Sequence, residues 1–218
     1  MFPFPFSFFG AVAEPPELEL IDNNFAMEFN GLDEYISAGN PTELQITGNI
    51  CISAWVKIEG TGNYALIDKY WDGTNPSRAY RIRINNKRIV AELGTASGGG
   101  PTSTTSNTDL TVGAWHHVTM VYNSTDIRLY KDGTLDNTPA SKTDAIYNNN
   151  EEFKIGDSYD FSLPFLGDID EVAVWNRALE ATDVQTIYNA TNNNPGKCAN
   201  LWSGGLGTGL VYWNRMGD

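Results

Sequence analysis

The chain has 218 residues, of which 14 are basic and 27 acidic, so its formal net charge is −13. This length suits one all-β domain with terminal arms and leaves little room for a second full domain. No cluster of Lys or Arg interrupts the acidity, so the phosphate backbone of nucleic acid would be repelled, and we predict no nucleic-acid partner. Two interpretations of the acidity stay open, namely solubility and the binding of divalent cations.

The first 23 residues are predicted to form an extended arm. Prolines between the aromatic residues of MFPFPFSFFG forbid a helix, and the basic region of a secretory signal is missing, so we expect no signal peptide. The aromatic side chains either tuck into a groove of their own domain or anchor the protein on a partner. We favour the anchor, because five exposed phenylalanines would promote aggregation. These residues are Phe2, Phe4, Phe6, Phe8 and Phe9.

From Phe25 onward, short runs of alternating apolar and polar residues are separated by Gly, Asn and Asp clusters. This pattern is typical of antiparallel strands and turns, and the number of runs implies two stacked sheets. Tight turns are predicted at Asn85-Asn86 and Asp132-Gly133, where residues that tolerate positive φ separate two runs. The predicted strands cover residues 25–29, 49–58, 64–70, 80–85, 88–93, 116–122, 126–131, 153–155 and 169–175.

One helix is predicted over residues 181–189. Val184, Ile187 and Tyr188 share one face of it, and Thr182 is a candidate N-terminal cap. We expect this helix to close one edge of the sandwich.

The segment 191–218 is predicted to be a Gly- and Asn-rich tail, whose composition favours turns and coil. The apolar run at residues 210–213 forms a late strand or contacts a neighbour. Only Cys51 and Cys198 are present, so the fold does not depend on a disulfide framework. No stretch approaches the roughly 20 apolar residues of a membrane helix, and we predict no membrane association.

Four segments of the sequence occur in a particular order: AMEFNGLDEYISAG at 26–39, ICISAWVKI at 50–58, GAWHHVTMVYN with DIRLYKDG at 113–133, and FLGDIDEVAVWNRALEATDV at 165–184. Together they resemble the laminin-G-like, pentraxin-like branch of the concanavalin A-like superfamily. The resemblance implies an all-β jelly-roll sandwich of two antiparallel sheets over residues 24–190. Residues 1–23 then form the arm, and residues 191–218 form the tail.

His116 and His117 are adjacent in a predicted strand. Neighbouring strand residues face opposite sides, so the two imidazoles cannot chelate one ion, and we predict a structural or surface role for both. The bulky residues around them are interpreted as core that fills the space between the sheets, not as a binding cage. They are Trp115, Val118, Tyr122, Leu129 and Tyr130.

Catalytic motifs are missing from the sequence. The superfamily includes laminarinase-type glycoside hydrolases, whose two catalytic glutamates have an E-x-D-x-x-E spacing. The nearest acidic cluster, Asp168, Asp170 and Glu171, has a different spacing and lies in the stretch that resembles the closing strand. Nucleophile-elbow, zincin, P-loop and C-x-x-C motifs are also missing, so we predict that the protein is not an enzyme.

Calcium is the one cofactor that the resemblance suggests, because relatives use the turn after the first strand and the closing strand to bind it. The corresponding ligands are the carbonyl of Gly31 and the carboxylates of Asp33 and Asp170. Asn30 stands where the family usually has Asp. In the alternative interpretation, Asp33 caps a turn and Asp170 bonds to a neighbouring strand.

A candidate ligand-binding loop follows the third predicted strand. It places aromatic rings beside polar groups, which suits stacking on a sugar, although such rings are as often packed in the core. The candidate residues are Tyr70, Trp71, Asp72 and Asn75.

Two functions from different classes remain. The first is a bacteriophage virion protein, a capsid decoration or fibre component, that binds other virion proteins through its arm and host-surface polysaccharide through its sandwich, and that forms an oligomer. The segment YWNRMGD at 212–218 resembles one that recurs in large phage proteins with laminin-G-like modules. The second is a free extracellular carbohydrate-binding lectin. Portal, capsid or tail genes beside this one would favour the first, and polysaccharide-degrading genes the second.

Overall fold

The computed structural model describes residues 17–70, 78–160 and 162–218. In these residues it shows strands β1 to β16, one α-helix and one 3-10 turn at Thr42–Leu44. The strands are β1 Leu20–Asp22, β2 Met27–Asn30, β3 Ile36–Ser37, β4 Ile50–Ile58, β5 Asn63–Lys69, β6 Tyr80–Asn85, β7 Arg88–Leu93, β8 Thr102–Thr105, β9 Trp115–Tyr122, β10 Asp126–Lys131, β11 Thr134–Leu135, β12 Ala140–Ser141, β13 Lys154–Ile155, β14 Leu166–Trp175, β15 Lys197–Ala199 and β16 Leu210–Asn214; the helix α1 is Ala181–Asn192.

Two stacked antiparallel sheets form the sandwich. The larger sheet has the order β11-β10-β9-β4-β14-β16, with β12 paired to β10 and β2 paired to β14. The smaller sheet has the order β3-β13-β5-β6-β7-β8. This architecture confirms the predicted two-sheet jelly roll, and the central strands start and end close to their predicted bounds.

The main core lies between the two sheets. On β4 the side chains of Ile52, Ala54 and Val56 point into it and are at most 1% exposed. Because successive strand residues face opposite sides, Cys51, Ser53 and Trp55 point away from this core, to the outer face of the larger sheet.

A second apolar cluster covers part of that outer face. Ala173 and Trp175 of β14 pack there with Val184 and Ile187 of α1. The expectation that α1 closes an edge of the sandwich is therefore wrong, because its apolar stripe packs on the outer face of the larger sheet. Glu180, not Thr182, is the N-cap, in a reciprocal capping box with Asp183.

The segment 191–218 is integrated into the fold. β15 pairs with β1, and β16 pairs with β14 over Val172↔Asn214 to Trp175↔Leu210. Of the two alternatives for residues 210–213, the structure shows the late strand, whereas the prediction of coil for the rest of this segment is wrong at Lys197–Ala199. The end of the predicted arm also pairs, since β1 begins at Leu20.

The two predicted tight turns differ in accuracy. Asp132-Gly133 is confirmed, with φ of 51° and 75°. The other turn is Asn86-Lys87, one residue later than predicted, with φ of 46° and 70°. Asn85 is still paired with Arg88 in the ladder, so the positive φ angles fall on the two residues between them.

Candidate functional site

An open groove lies on the outer face of the larger sheet. It has a volume of about 440 Å³. We call it the tryptophan groove. Its lining residues are Asn23, Asn24, Phe25, Ala26, Trp55, Trp115, Asp170, Thr191, Asn192 and Pro195.

Strand register brings the floor of the groove together. Trp55 of β4 is paired with Asp170 of β14 on one side and with His117 of β9 on the other. Directly paired residues in an antiparallel sheet point to the same face. The three side chains therefore all point outward, and Trp115, two residues before His117, points outward with them.

The aromatic residues of the groove differ in exposure. Trp55 is 9% exposed, and its ring stacks on Tyr188 of α1 at 5.8 Å with an angle of 22° between the planes. Trp115 and Phe25 are 40% and 63% exposed. The groove thus has one fixed ring at its base and two rings open to a ligand.

The interpretation of Trp115 as core between the sheets is wrong. Val118 and Tyr122 point inward, whereas Trp115 belongs to the opposite set of β9 residues. Tyr130 is buried, but it lies in the second cluster on the outer face. The exposed ring of Trp115 is the main groove feature that the sequence interpretation missed.

Asp170 is a carboxylate held at the base of the groove. Its Oδ2 accepts a hydrogen bond from Asn23 Nδ2 at 3.0 Å, and its Oδ1 accepts one from the backbone N–H of Glu171 at 2.8 Å. Burial, together with the negative charges of Glu171 and Asp218, raises the pKa of Asp170 to about 7. This side chain therefore changes charge near neutral pH.

A β-bulge places a second carboxylate beside it. The register of β14 with β4 shifts between Asp170 and Ala173, and Glu171 has a φ of 51°. Glu171 Oε2 accepts a hydrogen bond from Trp213 Nε1 at 2.7 Å, and Oε1 accepts one from Arg215 Nε at 3.2 Å. Glu171 is thus tied to the C-terminal segment, behind the groove.

The two histidines have structural roles, as predicted. His116 Nδ1 lies 2.8 Å from Asp132 Oδ2. His117 is fully buried, its Nε2 lies 2.7 Å from Ser53 Oγ, and its ring lies 5.3 Å from that of Trp55. Burial lowers the pKa of His117 to about 4, so it is neutral at pH 7 and supports the Trp55 ring.

The residues predicted to hold calcium are not brought together. Asn30 Nδ2 donates a hydrogen bond to Asp33 Oδ1 at 3.0 Å. In the strand ladder, Asn30 is paired with Leu166 of β14. Gly31 donates its backbone N–H to the carbonyl of Phe165. Asp170 lies four residues further along β14, on the order of 13 Å at about 3.3 Å per residue. A single ion shared by Asp33 and Asp170 does not fit this geometry.

Among the described residues no group of three or more His, Cys, Asp or Glu side chains is placed to hold a metal ion. Calcium prefers six to eight oxygen ligands, several of them carboxylates. Calcium binding itself stays a prediction.

The predicted ligand-binding loop is only partly described. Tyr70 is 1% exposed, and the guanidinium of Arg81 lies 4.1 Å from the centre of its ring, so no sugar can stack on Tyr70 in this conformation. Trp71, Asp72 and Asn75 lie outside the described residues, as do the five phenylalanines of the predicted anchor.

Residues 30–185 match the Laminin_G_3 family model, described as the concanavalin A-like lectin/glucanases superfamily. This match covers well over half of the chain. The protein belongs to this superfamily. No curated protein matches the chain.

Solved structures of the superfamily fold are similar across most of the chain. A candidate carbohydrate binding protein from Bacteroides ovatus has a TM-score of 0.64 and 17% identity over 88% of this chain and 53% of its own length. Domain 4 of an extracellular GH43 arabinanase from Geobacillus stearothermophilus, in complex with arabinotriose, has a TM-score of 0.59 and 17% identity over 78% of this chain and 80% of its own. A heptameric SAP-like pentraxin from Limulus polyphemus has a TM-score of 0.55 and 14% identity over 84% and 86%.

At such low sequence identity, the structural similarity establishes a shared fold and no more. The present chain spans about half the length of the Bacteroides protein. In the described part of the chain, no helix is both long and apolar enough to cross a membrane.

Proposed function

We propose that this protein is a non-enzymatic carbohydrate-binding protein and that the tryptophan groove is its binding site. The observation that carries the proposal is the position of Trp115 and Phe25, whose exposed rings stand over a base formed by Trp55 and Asp170. Exposed aromatic rings on a monomer have a free-energy cost in water that a bound ligand removes.

The chemistry of the groove suits a sugar. The apolar C–H face of a pyranose or furanose ring stacks on an aromatic side chain, and its hydroxyls need polar partners at the edges of the ring. Asn23, Asn24, Thr191 and Asn192 supply amide and hydroxyl groups, and Asp170 supplies a carboxylate. Both requirements are thus met within one open groove.

The similar structures support the proposal at the level of the fold. The arabinanase domain is in complex with arabinotriose, and the Bacteroides protein is described as carbohydrate binding. The pairing of Asp168 and Glu171 also favours binding over hydrolysis. Asp168 pairs with Lys57, and Glu171 is tied to Trp213 and Arg215, so neither carboxylate is held ready for acid–base chemistry.

A substitution at Trp115 tests the proposal. The purified protein is screened against a panel of arabinans, xylans, glucans, mannans, chitins and bacterial polysaccharides by affinity electrophoresis, and the affinity for each ligand is measured by calorimetry. We expect Trp115→Ala to weaken binding by about tenfold or more, since a stacked aromatic ring contributes roughly 1 to 3 kcal/mol.

Trp202→Ala is the matched control. Trp202 is 63% exposed and does not line the groove, so its loss should leave affinity unchanged. Equal loss of affinity in the two variants, or retained affinity in Trp115→Ala, would place the binding site elsewhere. Binding to no member of the panel would contradict the proposed function.

The biological setting stays a prediction. A virion role for the protein, with anchoring through the phenylalanines of the arm and assembly into an oligomer, is compatible with a glycan-binding sandwich that faces the host surface. A role as a free extracellular lectin is equally compatible with a glycan-binding sandwich.

A further inference from the structure

We infer that the tryptophan groove selects sugars without a negative charge and that Asp170 sets this selectivity. The inference rests on the proposed function and names the class of glycan: neutral or amino sugars are accepted, and sugars with carboxylate or sulfate groups are rejected.

The lining of the groove carries charge of one sign only. Of its ten lining residues, Asp170 is the one with an ionisable side chain. The remaining polar groups are the neutral Asn23, Asn24, Thr191 and Asn192. An anionic sugar would therefore meet a carboxylate at the base of the groove and no cation among the described residues of its walls.

Two cations close to groove residues are held by acidic partners. Lys57, whose ammonium lies 5.9 Å from the centre of the Trp115 ring, forms an ion pair with Asp168. Lys197, close to the Pro195 wall in sequence, forms one with Asp22. Each of these pairs is neutral as a whole, so neither offers an anionic sugar a free positive charge.

The groups that face Asp170 add to the negative field. Glu171 follows it on β14, and Asp218 at the end of the chain also acts on its charge. Arg215 lies 3.2 Å from Glu171 and 3.7 Å from Asp218, so its single positive charge is shared between two carboxylates. His117 on the paired strand β9 is neutral at pH 7, because burial lowers its pKa to about 4. The net charge of these groups at the base of the groove is negative once Asp170 is ionised.

Sugar hydroxyls and ammonium groups are the natural partners of such a base. A carboxylate accepts hydrogen bonds and donates none when ionised, and each of its oxygens can accept more than one. Among the described residues Asp170 Oδ2 has one donor, Asn23, so it retains acceptor capacity toward a ligand. A sugar carboxylate or sulfate is itself a hydrogen-bond acceptor, so it cannot donate to Asp170 as a hydroxyl or ammonium group does.

The test is a glycan array with neutral, amino, uronic, sialylated and sulfated glycans, read at pH 8 with the wild-type protein and with Trp115→Ala. We expect every glycan whose signal depends on Trp115 to lack carboxylate and sulfate. Each neutral glycan that binds is then compared with its uronic acid counterpart by calorimetry. We expect the acidic counterpart to bind at least about tenfold more weakly, because its carboxylate and that of Asp170 repel each other at close range even after screening by salt.

Asp170→Asn supplies the second arm. This substitution removes the charge at nearly constant side-chain size. We expect it to reduce the ratio of the two affinities, that of the neutral glycan to that of its acidic counterpart, by about tenfold. Trp115-dependent signals from acidic glycans, or a difference unaltered in Asp170→Asn, would overturn the charge selectivity and leave the proposed function intact. The absence of any Trp115-dependent signal would instead overturn the proposed function.

Discussion

Asp170 couples the groove to the stability of the fold. Its pKa is raised from 3.8 to about 7, chiefly by burial, so the folded state holds a proton over a range in which the unfolded chain has lost it. The contribution of this group to the free energy of unfolding is therefore greatest at low pH and is lost as the pH rises from 3.8 to about 7.

We expect Asp170→Asn to stabilise the protein more at pH 8 than at pH 5, by on the order of 2 kcal/mol, since one pKa unit corresponds to about 1.4 kcal/mol. Asn23 Oδ1, which is buried and has no partner among the described residues, can rotate to accept a hydrogen bond from the new amide. Urea denaturation at the two pH values measures the difference. Asp168→Asn, which breaks a pair with Lys57, should give no such gain. The same free-energy change at both pH values would contradict the prediction.

One buried lysine, Lys69 at the end of β5, donates hydrogen bonds to loop oxygens. The Lys69 ammonium donates to Asn40 Oδ1 at 2.9 Å, to Asn149 Oδ1 at 3.1 Å and to the carbonyl of Glu151 at 2.7 Å. Burial lowers the pKa of Lys69 to about 8. Loop oxygens of the kind that metal ions bind are thus paired with the ammonium group of β5, a pairing that the sequence pattern did not indicate.

At the scale of elements, the segment 191–218 contributes to the sandwich core. Met216 is 2% exposed and belongs to the cluster between the sheets, while Trp202, from the same segment, is 63% exposed. The burial of Met216 shows that this segment is integrated into the fold and is not a loose tail.

We expect Met216→Ala to lower the free energy of unfolding by about 2 to 5 kcal/mol, the usual cost of truncating a buried Met. Trp202→Ala should leave it within about 0.5 kcal/mol, because surface changes of this kind are close to neutral. Chemical denaturation of both variants provides the measurement. Similar midpoints for Met216→Ala and the wild-type protein would show that the C-terminal segment is not part of the cooperative unit.

At the scale of the whole molecule, the predicted anchor can be deleted without removing any of the described strands. β1 begins at Leu20 and pairs with β15, so a truncation should stop before it. Deletion of residues 1–16 removes Phe2, Phe4, Phe6, Phe8 and Phe9 and keeps β1 in place.

We expect this deletion to leave the melting temperature almost unchanged and to abolish oligomer formation or assembly on a particle. Calorimetry and light scattering test the two parts separately. A truncated protein that unfolds or precipitates would show that the phenylalanines belong to the domain's own core and would remove the main physical support for a virion role.

The sequence by itself determined the longer central strands, the sandwich and the separation of the two histidines, whereas short strands such as β8 and β15 were missed. Period-two alternation is a local property, and it is readable wherever one face of a strand is buried. The turn at Asp132-Gly133 followed from residues that tolerate positive φ. The expectation of coil was wrong at β15, because this short segment has no period-two pattern and becomes a strand only by pairing with β1.

Only the tertiary structure decided where the proposed site lies. Alternation shows that Trp115 and Val118 face opposite sides of β9, but both sides of this strand are largely buried, so the pattern cannot say which one faces the other sheet. The groove joins Phe25, Trp55, Trp115, Asp170 and Asn192, which strand pairing brings together from distant parts of the chain. Tyr70 is buried under Arg81 for the same reason, since long-range contacts, not local pattern, determine which aromatic rings remain in contact with water.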